Sequence, residues 1–298
     1  MKIDRVYINT HRYDKELTGT CVASVRYWYP DIAISLIFDY SNGRYNYTAL
    51  CRRWNVDVLD TQGRKYGWGL GKFEPLFLEN KERFLVLDAD TVLCGPVLDS
   101  IDALDADFVV DRETQPPEDL KILYYDPEKL KDLYPDFVYP GYTFNTGQWI
   151  GRGGILRHAD FDAFVNWKPV PRLKYPDIFK QADQGVLNLV VHQKEAEGKL
   201  SVEKIPLMIW PANGAGDFIR LDAIKDKKPD FPFVIHWAGM KFRRLNEYPL
   251  SGILLFYRQY YYSGDHGLRK LTDRAVIQYL SWEKKARLRF KKLIKSRS

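Results

Sequence analysis

The stretch Arg83-Phe-Leu-Val-Leu-Asp88-Ala-Asp90-Thr-Val-Leu93 decides the fold, because an apolar run typical of a buried strand ends in two carboxylates one residue apart. Burying carboxylates is costly unless a cation or hydrogen-bond donors compensate them. Ligands of open α/β sheets bind at the carboxyl ends of the strands, where Asp88 and Asp90 would lie. Two hard oxygen donors suit a divalent metal ion whose open positions accept phosphate oxygens. The stretch therefore predicts a site for a metal–diphosphate complex.

Strand and helix patterns alternate on both sides of this stretch. Runs of branched and aromatic residues predict strands at 6–9, 32–39, 56–59, 107–111 and 233–236. Helical patterns predict helices at 20–29 (entered through a turn at 18–20), 47–54, 72–78, 161–167, 184–192 and 250–262. Residues 113–140 contain five prolines and predict an irregular lid or substrate-binding segment. The alternation predicts an α/β domain at 1–262, with a mostly parallel central sheet flanked by helices, and a helical basic tail at 263–298.

The composition is that of a folded globular protein, with 45% hydrophobic and 28% charged residues in 298. The apolar stretches are too short to cross a bilayer, and no signal peptide is visible. Three widely spaced cysteines, Cys21, Cys51 and Cys94, fit neither a zinc site nor a disulfide framework. We therefore expect a soluble, cytoplasmic protein in a reducing compartment.

The net charge of +6 comes almost entirely from the tail, because residues 283–298 carry eight Lys or Arg and one Glu. In a helix, one apolar face would hold Trp282, Ala286, Phe290, Leu293 and Ile294. Basic amphipathic helices of this kind lie on anionic membrane surfaces, so we expect a peripheral membrane contact through 282–298. Nucleic-acid binding and a solvated helix end are the alternatives. No aromatic–basic alternation elsewhere supports a nucleic-acid partner.

Further polar residues extend the predicted site, although each has a plainer alternative. His236 ends an apolar strand and would supply a nitrogen ligand that favours Mn²⁺ over Mg²⁺, or it is a core histidine. Gly239 follows three residues later and allows the backbone to approach phosphate closely. Asn9 and Thr10 follow the first strand, where they would contact uracil and ribose or form a polar turn. An isolated Asp-x-Asp is likewise common in exposed turns.

Several segments together resemble the GT-A nucleotide-sugar glycosyltransferases, especially family 8, the glycogenin and galactosyltransferase-like group. Besides residues 84–93, the matching segments are Lys72-Phe-x-x-Leu76, Phe144-Asn-Thr-Gly147, Asp183-Gln184-x-x-Leu187-Asn188 and Val234-Ile-His236-Trp-Ala-Gly239. They occur in the family's order over about residues 6–241, most of the chain. One departure concerns the last segment, where Lys241 comes early and the family's following Pro is absent. Arg243 and Arg244 are the alternative phosphate ligands.

The resemblance implies a GT-A (Rossmann-like) fold and transfer of a hexose from a UDP-sugar to a glycan or lipid-linked acceptor, with retention of configuration. It implies a Mn²⁺ or Mg²⁺ site made by Asp88, Asp90 and His236. It places Asp183 on the hydroxyls of the donor sugar and Gln184 near the anomeric carbon. The implied donor contacts are Ile8, Asn9, Thr10, Lys72, Asp88, Ala89, Asn145, Gly147, Gly239 and Lys241.

Plainer roles remain open for three of these residues. Asn145 would equally bond its own backbone, and Asp183 would serve as a first-turn carboxylate of its helix. Lys72 would equally be a solvated helix charge.

Gln184 is a poor nucleophile because its amide oxygen is neutral, so the resemblance favours same-face substitution in which the departing diphosphate helps to deprotonate the acceptor.

Two other functions compete with glycosyl transfer. Asp88-x-Asp90-x-Val92 also resembles the opening motif of haloacid-dehalogenase-like phosphatases. That family has its motif near the N-terminus and needs a late pair of acids, whereas here Gly264-Asp265 is followed by Arg269 at the position of the second acid. The other alternative is an inactive module that binds sugar nucleotides without turnover.

Overall fold

The structure, a computed structural model, describes residues 2–67, 69–113, 117–229, 232–240, 244–264 and 267–295. Its strands are β1 (Arg5–His11), β2 (Ala33–Asp39), β3 (Val56–Val58), β4 (Arg83–Asp88), β5 (Thr91–Leu93), β6 (Phe108–Asp111), β7 (Gln148–Arg152), β8 (Val165–Asn166), β9 (Arg172–Leu173), β10 (Val202–Ile205), β11 (Met208–Ile209) and β12 (Val234–His236). Its α-helices are α1 (Lys15–Trp28), α2 (Thr48–Trp54), α3 (Val97–Ile101), α4 (Pro117–Leu123), α5 (Pro127–Leu133), α6 (His158–Phe161), α7 (Ala182–Ala196), α8 (Leu221–Lys225), α9 (Ser251–Tyr261) and α10 (Leu268–Lys295). Short 3₁₀ helices include Arg12–Asp14, Tyr40–Asn42 and Leu70–Phe77.

The central sheet has seven strands in the order β10-β6-β7-β4-β1-β2-β3. Strands β4, β1, β2 and β3 are mutually parallel, as are β6 and β10, while β7 runs antiparallel to both of its neighbours. A smaller sheet has the order β11-β12-β5, with β5 antiparallel to β12. The predicted α/β class with a mostly parallel sheet is confirmed.

The apolar run of β4 reflects burial on both of its faces. Phe84 and Val86 belong to the core cluster that contains Trp149, whereas Leu85 and Leu87 belong to the cluster on the other face. A strand covered on both faces has no solvent side and therefore loses the alternation of apolar and polar residues. The run must end where the sheet edge meets solvent, and there the first carboxylate, Asp88, appears.

The predicted turn at 18–20 is wrong, because α1 begins at Lys15 and includes these residues. Thr18 and Thr20 fit inside the helix since each hydroxyl donates to the carbonyl oxygen four residues earlier, at 2.9 Å. Gly19 between them packs closely against α9. A Cβ there would lie 3.1 Å from the ring of Tyr261 in α9.

Three other predicted elements also differ from the structure. The predicted helix at 161–167 is wrong, because α6 ends at Phe161 and the chain continues into β8. The excursion at 113–140 is not wholly irregular, since it contains α4 and α5. The predicted helix at 72–78 is the 3₁₀ helix Leu70–Phe77, which contains Pro75 and so lacks one of the N–H donors that an α-helix uses.

The helix α10 is long but strongly charged. Within the described ranges, no helix has both the length and the apolar character needed to span a bilayer.

Arg26 of α1 is a buried cation that holds the chain around α2 in place. Its Nε donates to the carbonyl oxygen of Trp54 at 2.9 Å, and its Nη2 donates to that of Asn55 at 2.8 Å. Its Nη1 also donates to the carbonyl oxygen of Ile32 at the start of β2. One guanidinium thus joins α1 to the ends of two neighbouring segments.

We expect Arg26→Met to lower the free energy of unfolding by about 2–4 kcal/mol, because buried carbonyl oxygens lose their donors. Arg52→Met is the matched control, since Arg52 is exposed in the neighbouring helix, and should change stability by less than about 0.5 kcal/mol. Urea titration followed by circular dichroism measures both values. Equal losses in the two variants would contradict this role for Arg26.

Candidate active site

Two carboxylates and one imidazole meet at the carboxyl edge of the central sheet. Asp88 ends β4, Asp90 lies in the turn to β5, and His236 ends β12. One ligand atom from each residue lies within 4.8 Å of the other two. The Nε2 of His236 is 3.4 Å from Oδ1 of Asp90 and 3.8 Å from Oδ2 of Asp88. The predicted metal ligands are therefore brought together.

Backbone pairing fixes this arrangement. His236 is opposite Thr91 in the antiparallel β12–β5 ladder, and the N–H of Trp237 donates to the carbonyl oxygen of Asp90 at 3.0 Å. The hydroxyl of Thr91 donates to the carbonyl oxygen of Asp88 at 2.7 Å. These bonds close the turn between the two carboxylates and hold the imidazole beside it.

The residues fit a divalent metal ion such as Mn²⁺. Two carboxylates and a neutral imidazole are ligands that Mn²⁺ accepts. Asp90 and His236 are buried, while the side chain of Asp88 stays partly accessible to a ligand. The Nε2 of His236 faces both carboxylates, which is the arrangement that ligation of one ion by all three side chains requires.

Gly147 is required for the position of His236. A Cβ on residue 147 would lie 2.2 Å from Cε1 and 2.6 Å from Nδ1 of that ring. The carbonyl oxygen of Gly147 also accepts the N–H of Asp88 at 2.7 Å. Glycine is thus needed here for the close approach of an imidazole, in addition to its predicted place in a turn.

Lys72 joins the metal-ligand cluster to Asp183. Its Nζ lies 3.0 Å from Oδ2 of Asp88 and 2.7 Å from Oδ2 of Asp183. The side chain is buried, so the alternative of a solvated helix charge is excluded. Burial lowers the pKa of the Lys72 ammonium, but Asp183 and then Asp88 outweigh this effect, and the pKa is raised above its usual value.

Asp183 lies in the first turn of α7, where the helix dipole favours a carboxylate. Its Oδ2 also accepts the hydroxyl of Thr146 at 2.8 Å. Burial raises the pKa of Asp183, but Lys72 and Thr146 together hold it below its usual range. Gly69 leaves room for this carboxylate, because a Cβ there would lie 2.6 Å from Cγ of Asp183. Thr146 was missed by the sequence reasoning, although it stands inside the Phe144–Gly147 segment.

The turn before β7 is held by side-chain amides. The Oδ1 of Asn145 accepts the N–H of Gly147 at 2.7 Å, which is the plainer role considered for Asn145. Asn188 of α7 binds both backbone groups of Phe144, at 2.9 and 2.8 Å. The Nε2 of Gln184 donates to the carbonyl oxygen of Leu123 at 3.0 Å, which anchors Gln184 to the end of α4.

The predicted donor-binding residues near β1 differ in the polar groups that they could offer to a ligand. Ile8 is fully buried and offers no polar side chain. The Nδ2 of Asn9 donates to Oδ1 of Asp88 at 3.5 Å, and its buried Oδ1 has no partner among the described residues. The hydroxyl of Thr10 is 2.6 Å from that of Thr18, and the N–H of Ala89 donates to the carbonyl oxygen of Asn9 at 3.1 Å.

The closing glycine segment is only partly described. Gly239 has a φ of +78°, a conformation that favours glycine, and none of the described residues has an atom within 4 Å of a Cβ built there. Lys241 and Arg243, the predicted phosphate ligands, lie outside the described residues. Arg244, the remaining alternative, is exposed before a 3₁₀ turn at Leu245–Glu247.

The chain matches no protein-family model and no curated protein sequence. Its fold is similar to several solved structures. The bifunctional glycosyltransferase WbbM in its apo form has a TM-score of 0.59 at 10% identity, over 92% of this chain and 52% of WbbM. The galactosyltransferase LgtC in complex with donor and acceptor sugar analogues has a TM-score of 0.53 at 15% identity, over 87% of this chain and 95% of LgtC. The glycosyltransferase GlyE of Streptococcus pneumoniae TIGR4 has a TM-score of 0.51 at 14% identity, over 93% of this chain and 64% of GlyE.

These similarities show that the chain has the GT-A fold, as its motifs predict. The chain spans about half the length of WbbM. Identities of 10–15% establish the fold alone, so the chemistry of this chain must be argued from its own site.

We expect Gly147→Ala to weaken Mn²⁺ binding by about 10–100-fold, because the added methyl group displaces His236 from Asp90. Gly252→Ala is the matched control, since a Cβ there meets its nearest neighbour at 3.6 Å. Isothermal titration with MnCl₂ measures both dissociation constants. Unchanged affinity in a folded Gly147→Ala protein would remove His236 from the ligand set.

We expect Lys72→Met to lower the free energy of unfolding by about 3–5 kcal/mol at pH 7 in EDTA, because the buried Asp183 and the partly accessible Asp88 lose their cation. In the wild type the pKa of Asp183 is lower in the folded protein than in the unfolded chain, where it is about 3.9. The ionised carboxylate therefore stabilises the fold at pH values above about 3.9, and this contribution is lost as the pH falls through the folded pKa. Without Lys72, burial instead raises the pKa of Asp183, and protonation removes the cost of burying an unpaired charge. The difference in the free energy of unfolding between variant and wild type should therefore shrink from pH 7 to pH 4.

Urea unfolding at the two pH values measures this difference. Lys199→Met is the control, because Lys199 forms only an exposed ion pair and its loss should cost less than about 1 kcal/mol at either pH. A deficit for Lys72→Met that is the same at pH 4 and pH 7 would contradict the assignment of the loss to Asp183.

Proposed function

We propose that this protein is a metal-dependent glycosyltransferase that moves a hexose from a UDP-sugar to a glycan or lipid-linked acceptor. The observation that carries the proposal is the cluster of Asp88, Asp90 and His236, joined through Lys72 to Asp183 at the carboxyl edge of a GT-A sheet. Ligand sites of open α/β sheets lie at this edge. The galactosyltransferase LgtC, whose solved complex contains donor and acceptor sugar analogues, has the same fold.

Asp88, Asp90 and His236 would hold the metal ion, with Mn²⁺ favoured over Mg²⁺ because one ligand is a nitrogen. When bound, the ion neutralises charge that develops on the departing diphosphate. The partly accessible side chain of Asp88 would leave room for phosphate oxygens, and the glycine at 239 would allow the backbone to approach them. Lys241 or Arg244 would contribute a positive charge to the same phosphates.

Asp183 would bind hydroxyl groups of the donor sugar. Its Oδ2 is held by Lys72 and Thr146, so the carboxylate is oriented before a substrate arrives. Preorganised polar groups of this kind stabilise a transition state without reorganising during the reaction. Lys72 also keeps Asp183 in a fixed relation to the metal ligand Asp88, which would align the sugar with its diphosphate.

We assign Gln184 a positioning role near the anomeric carbon. Its Nε2 is anchored on Leu123, which leaves its neutral Oε1 to face the sugar. A neutral amide is a weak nucleophile, so we favour retention by substitution on the same face of the sugar. In that route the acceptor hydroxyl transfers its proton to the departing diphosphate.

The uridine would lie over the end of β1. Asn9 carries an amide whose Oδ1 is unsatisfied among the described residues, and an amide oxygen can accept the imide N–H of uracil. Thr10 is less suited to a direct contact, because its hydroxyl already pairs with Thr18. We assign the preference for UDP to Asn9 together with the backbone beside it.

The test is the release of UDP from UDP-glucose, UDP-galactose, UDP-N-acetylglucosamine and UDP-N-acetylgalactosamine, with Mn²⁺, Mg²⁺ or EDTA. We expect slow Mn²⁺-dependent hydrolysis of one donor, reduced by roughly 10²–10³-fold in Asp90→Asn and in Asp183→Asn. Asp222→Asn, which alters an exposed aspartate, should retain wild-type rates.

Two further measurements distinguish the rival functions. Phosphate release from p-nitrophenyl phosphate that depends on Asp88, without any hydrolysis of nucleotide sugars, would support a phosphatase instead. Binding of a UDP-sugar by titration calorimetry with no turnover in the presence of Mn²⁺ would indicate an inactive binding module.

A further inference from the structure

The long helix α10 packs against the rest of the protein through one face only. Asp273 pairs with Lys15 of α1, and Glu283 pairs with Arg12 at 2.6 Å. Leu280 is buried between these two ion pairs. Spacings of seven and three residues place all three on one side of the helix. We call this side the docked face.

A second side of α10, turned by roughly 120° about the helix axis from the docked face, carries a line of apolar side chains that are open to solvent. Its members follow one another at intervals of three or four residues and are Leu271, Ala275, Tyr279, Trp282, Ala286 and Phe290. The four large ones are 56–68% exposed. We call these six residues the outward stripe. It begins at Leu271, well before the segment at 282–298 that the sequence singles out.

The acidic side chains of α10 lie on the docked face, whereas basic side chains lie both there and beside the outward stripe. Its only acidic residues, Asp273 and Glu283, both lie on the docked face and are paired with the protein body. Exposed basic side chains lie along one side of the outward stripe, namely Lys270, Arg274, Lys285 and Arg289. The exposed surface of the helix is therefore apolar along the stripe and positive along one side of it, while Glu283 on the other side is neutralised by Arg12.

We propose that the outward stripe is a docking surface for an anionic lipid bilayer. A helix with this pattern lies in the interface, where its aromatic and aliphatic side chains enter the boundary between headgroups and acyl chains and its basic flank meets lipid phosphates. The phosphates of a nucleic acid would pair with the basic side chains, but the apolar side chains of the outward stripe would remain exposed to water. A second copy of the chain would cover the stripe but bring two positive flanks together.

The docked face fixes how the membrane would lie relative to the active site. Arg12 belongs to the 3₁₀ helix that directly follows β1, and Arg287 contacts Asn42 in the 3₁₀ helix that directly follows β2. Both short helices stand at the carboxyl edge of the sheet, which also holds the Asp88 cluster. The bilayer would thus lie near the edge where the proposed transfer takes place, within reach of a lipid-linked acceptor. This last step rests on the proposed function, whereas the docking surface does not.

The experiment is co-sedimentation of the full chain with sucrose-loaded vesicles of phosphatidylcholine and phosphatidylglycerol at 70:30, beside vesicles of phosphatidylcholine alone. We expect binding to the anionic vesicles, at least tenfold weaker binding to the neutral ones, and release at high salt. Trp282→Glu combined with Phe290→Glu should weaken binding to anionic vesicles at least tenfold. Both positions are exposed, so this variant should keep the wild-type melting temperature.

The matched control is Ile122→Glu combined with Val138→Glu, which adds the same charge and removes two exposed apolar side chains away from α10. This control should bind anionic vesicles like the wild type. The proposal is overturned if the wild type does not bind them or if the stripe variant binds equally well. It is also overturned if light scattering shows a wild-type dimer that the stripe variant converts to a monomer, without vesicle binding.

Hydrolysis of UDP-sugars in vesicle-free buffer separates the two proposals. The stripe variant should hydrolyse the donor at the wild-type rate, because its substitutions do not touch the Asp88 cluster. Vesicle binding by a protein that hydrolyses no nucleotide sugar would support the docking surface and contradict the transfer reaction.

Discussion

One buried ammonium holds the candidate site together. Lys72 stands between Asp88, at the end of a strand, and Asp183, at the start of a helix, so three charges share a space largely closed to solvent. A buried charge without a partner costs several kcal/mol, which makes each of the three depend on the others. The spacing between the metal-ligand cluster and the predicted sugar-binding carboxylate is therefore set by the folded chain itself.

The connectivity of the sheets explains why distant segments meet at this point. An antiparallel strand begins at the edge where its parallel neighbours end, so β7 delivers the turn at Asn145–Gly147 to the carboxyl end of β4. The small sheet does the same for His236, because β12 pairs with β5 immediately after Asp90. The turn and the imidazole lie in close contact, and the small size of Gly147 allows them to pack against each other.

Electrostatic pairing also organises the outside of the protein. In α10, the two acidic side chains attach the helix to Lys15 and Arg12, and Lys270, Arg274, Lys285 and Arg289 remain in solvent. The same helix thus has an inner face defined by ion pairs and an outer face defined by apolar and basic groups. Its attachment beside the ends of β1 and β2 relates that outer surface to the edge that carries the site.

The sequence by itself determined the buried strand at Arg83–Asp88, the pair of carboxylates after it, the α/β class and the amphipathic character of the last helix. These features are local, because hydrophobic periodicity and charge spacing depend on residues a few positions apart. It also predicted that His236 joins the carboxylates, through an ordered set of motifs rather than through any single residue.

Only the tertiary structure decided which partners the polar residues have. Lys72 looked the same as a solvated lysine until its contacts with Asp183 were known, and Thr146 gave no signal of its own. The prediction for the start of α1 was likewise wrong, since Gly19, which suggested a turn, lies inside the helix and packs against the ring of Tyr261. Such contacts join residues far apart in the chain, and they are selected by close packing and by the cost of burying an unpaired charge, which no local pattern records.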